Sequence, residues 1–232
     1  IDYEGRVRHF GGRHHACQSN ETYRNYIKRY VTKFAEHFSK NNNVVGWQVD
    51  NELGNSHDDL CYCSSCQDKY REWLKDKYNS IDELNKKWGN VFWSQNYNNF
   101  DEIISPIITV TGENPSAVLD WKLFCSDLIV DFHEEQSKII REYSDNFITH
   151  NFMGFSDKVN YYDLGEDLEF VSHDQYPGLY HIEGNQQPEH ELAAALDLMR
   201  SVKNKPFWIM EQQSNITGWE TMGRSAKPGQ IG

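Results

Sequence analysis

"VVGWQVDNELG", residues 44–54, decides how the chain is read. Val44, Val45, Trp47 and Val49 form an apolar, β-branched run of strand length. The run turns polar at once in Asp50, Asn51 and Glu52. A strand meeting a surface turn has that form, and so does a strand that delivers an amide and a carboxylate into a pocket. Upstream, Tyr23, Tyr26, Ile27, Tyr30, Val31, Phe34 and Phe38 recur at helical spacing. That spacing predicts an amphipathic helix over 20–39, which the asparagines 41–43 break before the strand begins.

Downstream, Tyr70, Trp73 and Leu74 predict a helix from Cys66 to Tyr78. Ser80 with Glu83 makes a capping box for a short helix ending near Trp88. The aromatic stretch 91–115 has no periodicity and reads as a long loop excursion. Trp121, Phe124, Cys125, Leu128 and Phe132 mark a long helix to about Tyr143, with Cys125 a core residue on its apolar face. "NFITHNFMG" (146–154), "LEFVSHDQYPG" (168–178) and "KPFWIMEQ" (205–212) read as strands, with a helix on Leu192, Ala195, Leu196 and Met199 before the last. Helices fall between successive strands and hairpin signals are missing, so the strands are expected to be parallel. An open doubly wound sheet and a closed barrel both satisfy that pattern. The nucleotide fingerprints GxGxxG and GxxxxGK[ST] are absent from the sequence.

Composition narrows the partners. Lys and Arg number 23 against 35 Asp and Glu, a net charge of -12, which opposes nucleic acid and anionic membranes. No apolar run has the length of a membrane span. With 7 Trp and 13 Tyr, the chain has flat apolar faces to spare for sugar rings. It begins without an initiator Met or a signal peptide, and is expected to be the interior of a longer protein.

Two strands end in a carboxylate, one at Glu52 and one at Glu211. In a barrel, the C-terminal ends of strands point into one pocket. Glycoside hydrolysis needs such a pair, one carboxyl to protonate the leaving oxygen and one to attack or to activate water. Asp174 and Tyr176 also end a strand at pocket depth. Cys61, Cys63 and Cys66 form C-x-C-x-x-C. Three thiols cannot all pair with one another, and such a cluster suits tetrahedral Zn²⁺. His14, His15, His173 and His181 lack the spacing of a catalytic metal site and are read as ordinary polar residues.

"WQVDNELG", "CYCSSC", "VFWSQ" and "WIMEQQSNITGW", in this order, resemble the family 42 glycoside hydrolases, β-galactosidases of the Asn-Glu barrel superfamily. The resemblance runs from about Phe10 to Gly229. It implies a (β/α)₈ barrel of which residues 1–232 are an incomplete segment, roughly strands four to seven of one catalytic domain. The first strands, the last strand and the later domains would lie outside. Glu52 matches the acid/base, Glu211 the nucleophile, and Asn51 a contact to the sugar 2-hydroxyl. Arg13, Trp93 and Trp219 match substrate contacts, although the family often has two arginines where this chain has Arg13 and His14. Cys17 matches the fourth zinc ligand, which closes the coordination shell and makes the ion structural.

The implied reaction is retaining hydrolysis of terminal β-D-galactosides (lactose, galacto-oligosaccharides or galactan fragments), without a cofactor in the chemistry. The implied full-length assembly is a homotrimer, and reduced thiols favour the cytoplasm. Two rivals stand beside it: an α-L-arabinopyranosidase or other glycosidase on the same barrel, and a non-catalytic zinc-containing binding module.

Overall fold

In a computed structural model, which describes residues 1–11, 13–54, 60–177, 189–216, 225 and 229, the stretch 44–54 is a strand only in its middle. β1 spans Gly46–Gln48. Val45 is exposed, and the strand ends where Asp50 takes a left-handed conformation, φ 59°. β1 pairs in parallel with β2 (Phe147–Thr149), Gly46 opposite Phe147. A Cβ on Gly46 would lie 2.2 Å from the Phe147 ring, so this register requires glycine.

"NFITHNFMG", expected as one strand, divides at His150. Its first half is β2, beside β1, and its second half is β3 (Asn151–Phe152), which pairs with β4 (Ser172–Gln175). β5 (Trp208–Gln212) completes the order β3-β4-β5, and every pair is parallel, as helices between strands require.

The chain clusters into two compact units, Ile1–Tyr30 with Ser56–Phe132, and Val31–Asn55 with His133–Gly232. The first unit holds α2 (Ser64–Lys77) and α3 (Ile81–Trp88), with the leading parts of α1 (Glu21–Phe38) and α4 (Pro115–Arg141). Its core is aromatic: Tyr70 meets Trp121 edge-on at 4.8 Å, and Tyr62 stacks on Trp121 at 5.0 Å. Cys125 is buried there as expected. Asp120 is a buried carboxylate made tolerable by three donors, Tyr78 Oη at 2.7 Å, Lys77 Nζ at 2.8 Å and Trp88 Nε1 at 2.9 Å. The excursion after α3 carries two short 3₁₀ turns, Phe92–Ser94 and Phe100–Glu102, and is otherwise irregular.

The second unit holds the five strands of the described residues, α5 (Tyr161–Glu166) and α6 (Glu189–Lys203). α5 escapes the sequence reading because it is six residues long and holds a glycine. That glycine has a use: a Cβ on Gly165 would lie 2.6 Å from Val202 Cγ1 on α6. The apolar face expected of α1 is also corrected. Tyr26, Tyr30 and Phe34 are exposed, and the buried positions are Arg24, Val31 and Ala35. Hydropathy could not assign Arg24 inward, because its guanidinium is engaged by Gln18 O at 2.6 Å and by Asp131, distant in sequence, at 2.7 Å. No helix among the described residues is long and apolar enough to cross a membrane.

Candidate active site

The turn after β1 is strained where its chemistry lies. Asp50 and Glu52 both have positive φ, 59° and 49°, a conformation that costs a side-chain-bearing residue about 1–3 kcal/mol and needs outside support. Support comes from the end of β2 and the start of β3. Glu52 N–H donates to Asn151 Oδ1 at 3.0 Å, and Leu53 N–H donates to His150 Nε2 at 3.0 Å. His150 Nδ1 meets Val49 O at 2.7 Å, so one neutral ring, protonated on Nδ1, clasps both ends of the turn. Glu52 is thereby held in a buried position.

Glu211 arrives by a different device. Along β4 and β5, Ser172 pairs with Trp208 and His173 with Ile209, but Asp174 pairs with Glu211. The irregularity inserts Met210. In an unbroken ladder Met210 would stand opposite Asp174, and Glu211 would face the other side of the sheet. The bulge turns it toward Asp174. Tyr176 then donates its hydroxyl to Glu211 Oε2 and fixes that carboxylate's orientation.

An oxygen from each of Glu52, Asp174 and Glu211 lies within 4.8 Å of the others. Burial above all, then Glu211 and Glu52, pushes the Asp174 carboxyl up to about 8, against one lowering contact from Asn151. Burial, then the bond to Glu211, raises Tyr176. Asn51 completes the group, its Nδ2 at 3.3 Å from Glu52 Oε2 and its Oδ1 accepting from Asn151 Nδ2 at 3.0 Å.

The structure thus brings together Glu52, Glu211 and Asn51. Arg13 and Trp93 belong to the first unit, where both are exposed; Trp93 has φ 52° and stacks on Phe92 at 4.6 Å. Trp219 and His181 lie outside the described residues. His173 is buried with Nδ1 on Phe152 O at 3.0 Å, and burial lowers its pKa. Sequence reasoning set Asp174 and Tyr176 at pocket depth without a catalytic role, and passed over His150 and Asn151. The signal that found Glu52, a polar residue closing an apolar run, is present in "FITHN" and "VSHDQY" too.

The first unit contains the sulfur cluster. Cys17, Cys61, Cys63 and Cys66 are free thiols with sulfurs within 4.8 Å of one another. Cys17 and Cys66 are 3.3 Å apart, Cys17 and Cys63 3.5 Å, and Cys63 and Cys66 3.8 Å. Four sulfurs at about 2.3 Å from a tetrahedral ion would stand about 3.8 Å apart, so these residues fit zinc. Hydrogen bonds from Cys17 and Cys66 draw the Cys61 thiol down, while Cys17 itself is pushed up to about 12 by Cys61.

Two close carboxyl groups at the C-terminal ends of parallel strands, one beside an asparagine and one beside a tyrosine, have the arrangement that glycoside hydrolysis uses. The family model described as beta-galactosidase, glycoside hydrolase 42, matches residues 1–232. Beta-galactosidase BgaA from a Thermus species is 41% identical over 243 residues, covering 100% of this chain and 38% of the relative. Beta-galactosidase Bga from Halorubrum lacusprofundi is 39% identical over 229 residues, covering 94% and 33%. The crystal structure of beta-galactosidase from the psychrophilic Marinomonas ef1 superposes with TM-score 0.91 at 38% identity, over 99% of this chain and 37% of that one. The chain belongs to glycoside hydrolase family 42, the β-galactosidases, and its parallel strands are a segment of that family's (β/α)₈ barrel. It spans a little over a third of the length of these relatives.

Proposed function

We propose that the protein containing these residues is a retaining β-galactosidase, acting on terminal β-D-galactosides by double displacement. The observation that supports this reading is that one carboxyl oxygen of Glu52 and one of Glu211 lie within 4.8 Å of each other. Retaining pairs stand about 5–5.5 Å apart, and inverting pairs about 6.5–9.5 Å, to leave room for a water. Glu211 attacks the anomeric carbon while Glu52 gives its proton to the departing oxygen. Glu52 then takes a proton from water, which releases galactose with the original anomeric configuration. Asn51, whose Oδ1 accepts from Asn151 Nδ2, bonds the sugar 2-hydroxyl in this reading, and Arg13, Trp93 and Trp219 are proposed substrate contacts. Lactose, galacto-oligosaccharides and galactan fragments are the proposed substrate class, and a homotrimer the proposed full-length assembly. A zinc ion, where bound by Cys17, Cys61, Cys63 and Cys66, would hold those segments together and take no part in bond cleavage.

Azide tests the assignment. In Glu52→Ala, activated galactosides still form the glycosyl-enzyme, and azide, which needs no base, restores turnover with β-galactosyl azide as product. In Glu211→Ala, azide enters from the opposite face and gives the α-anomer. Swapped anomers would reverse the two roles, and an absence of rescue in both variants would remove the double displacement.

A further inference from the structure

We propose that Asp174 is a positioning residue that works as a neutral carboxylic acid, orienting the Asn151 amide that holds Glu52 and Asn51 and keeping the site at a single negative charge. The inference rests on the glycosidase reading of Glu52 and Glu211.

Orientation comes first. Asn151 makes four bonds at the site. Its Nδ2 donates to Asp174 Oδ2 at 2.5 Å and to Asn51 Oδ1 at 3.0 Å. Its Oδ1 accepts from Glu52 N–H at 3.0 Å and Gln48 Nε2 at 3.1 Å. An amide turned by 180° would set its NH₂ against the Glu52 N–H, donor against donor. Asn51 and Gln48 carry amides that could turn with it. Asp174 Oδ2 cannot donate while the proton sits on Oδ1, so together with the Glu52 N–H it fixes the polarity of the network.

Charge comes second. Asp174 is 3% exposed, and its Oδ1 is fully buried with no hydrogen-bond partner. The titratable groups that face it are Glu52 from the turn after β1, Glu211 from β5 and Tyr176 beyond β4. His173, its neighbour on β4, is engaged by Phe152 O. A bare carboxylate oxygen in that setting has no compensation, whereas an uncharged hydroxyl costs far less to bury without a partner. Burial and the two glutamates accordingly raise the Asp174 pKa. Double displacement itself conserves one negative charge. Glu211 carries it before attack, and Glu52 carries it once Glu211 is esterified. An ionised Asp174 would add a second charge at both stages.

The test uses the full protein that contains this chain. Asp174→Asn keeps an acceptor for Asn151 and stays neutral at every pH. Its kcat on a nitrophenyl β-galactoside is expected within about threefold of the parent at pH 6, with the alkaline limb of kcat/KM later by about one pH unit. Asp174→Ala removes one of the two fixed contacts that hold the Asn151 amide, the other being the Glu52 N–H, and kcat is expected to fall on the order of 10–100-fold while KM changes by less than about threefold. A ¹³C titration of the Asp174 side-chain carboxyl is expected to show it protonated at pH 6, independently of activity. Equal activities for the Ala and Asn variants, or a carboxyl already ionised at pH 6, would overturn the proposal. If the parent itself hydrolyses no galactoside, the glycosidase reading fails, while the titration still decides whether Asp174 is a neutral acid.

Discussion

Four sulfurs in the first unit and three carboxyl groups in the second each gather acidic atoms within 4.8 Å, yet the two clusters are built and balanced in opposite ways. Three of the sulfurs come from one stretch, 61–66, joined by Cys17. The carboxyl groups come from three strand ends far apart in sequence, and two of them need a local distortion: positive φ at Glu52 and a bulge before Glu211. In the sulfur cluster, hydrogen bonds from Cys17 and Cys66 draw the Cys61 thiol down, and a cation would favour ionisation of every thiol. In the carboxyl cluster, burial and the two glutamates push the Asp174 carboxyl upward, toward its protonated form. Crowded acids therefore mark two kinds of site, one suited to a metal and one suited to moving a proton.

The sharpest way to break that contrast is to remove one member of each cluster. Glu211→Ala is expected to lower kcat by at least about 10⁴-fold, since the covalent route is lost with the nucleophile. Cys66→Ser is expected to leave kcat of the folded fraction within about tenfold at 25 °C, because sulfur has no part in bond cleavage. A stopped-flow or steady-state assay of both variants decides it. Loss of chemistry in Cys66→Ser with the fold intact by circular dichroism would erase the distinction.

Metal removal acts on stability instead. Protein prepared without chelator is expected to contain one zinc per chain, and stripping it is expected to cost several kcal/mol, seen as a lower melting temperature. Elemental analysis beside thiol titration checks this. Little zinc together with four freely reacting thiols in the parent would count against the site.

The two clusters also predict opposite pH dependences. Folded Asp174 keeps a proton that the unfolded chain gives up near 3.8, so the folded state binds more protons between that pH and about 8. Its contribution to stability is full below about 4 and is lost as pH rises toward 8. Zinc binding by thiols runs the other way, strengthening as pH rises, because each ligand must shed a proton. Unfolding free energies of zinc-free protein from urea melts at pH 5 and pH 8 are expected to differ by about 1–3 kcal/mol more in the parent than in Asp174→Asn. Equal slopes would remove Asp174 from the account.

What the sequence disclosed follows the same division. The capping box at Ser80, the core role of Cys125 and the C-x-C-x-x-C run are local patterns, and each stands where it was read. Glu52 and Glu211 were found because apolar runs end on them. His150 and Asn151 were passed over, although "THN" ends β2 and opens β3, because their importance lies in bonds to a turn about a hundred residues earlier in the chain. The inserted Met210 left no trace either, since a bulge is defined by its partner strand. The exposed face of α1 was misjudged for a related reason: the Arg24 guanidinium is engaged by Asp131, which no helical periodicity contains.

Gly46→Ala probes a long-range requirement of that kind. A methyl group there meets the Phe147 ring, which is itself in contact with Phe170 at 5.0 Å and Trp208 at 5.4 Å between ring centroids. The ring cannot yield without disturbing both, so the variant is expected to lose about 1–3 kcal/mol in denaturant melts. A loss below about 0.5 kcal/mol would show that the aromatic cluster is looser than its packing implies.

Ser80→Ala is the local counterpart and has the smallest expected effect. The Ser80 hydroxyl accepts the Glu83 N–H at 3.2 Å, satisfying one of the donors that the first turn of α3 leaves without an intrahelical partner. Glu83 adds a second contact by reaching the Asn79 N–H at 3.3 Å, one residue earlier than a standard capping box would place it. Alanine removes the first bond and leaves the second, and Gly89 still ends the helix at φ 68°. The expected cost is therefore about 1 kcal/mol or less. It is expected as a shift in the denaturant midpoint, with kcat and KM unchanged. The buried Leu84 and Trp88 anchor the helix whether or not its first turn is capped. A loss above about 2 kcal/mol would mean that α3 depends on its cap more than on its core, and that a feature read from four residues carries long-range weight after all.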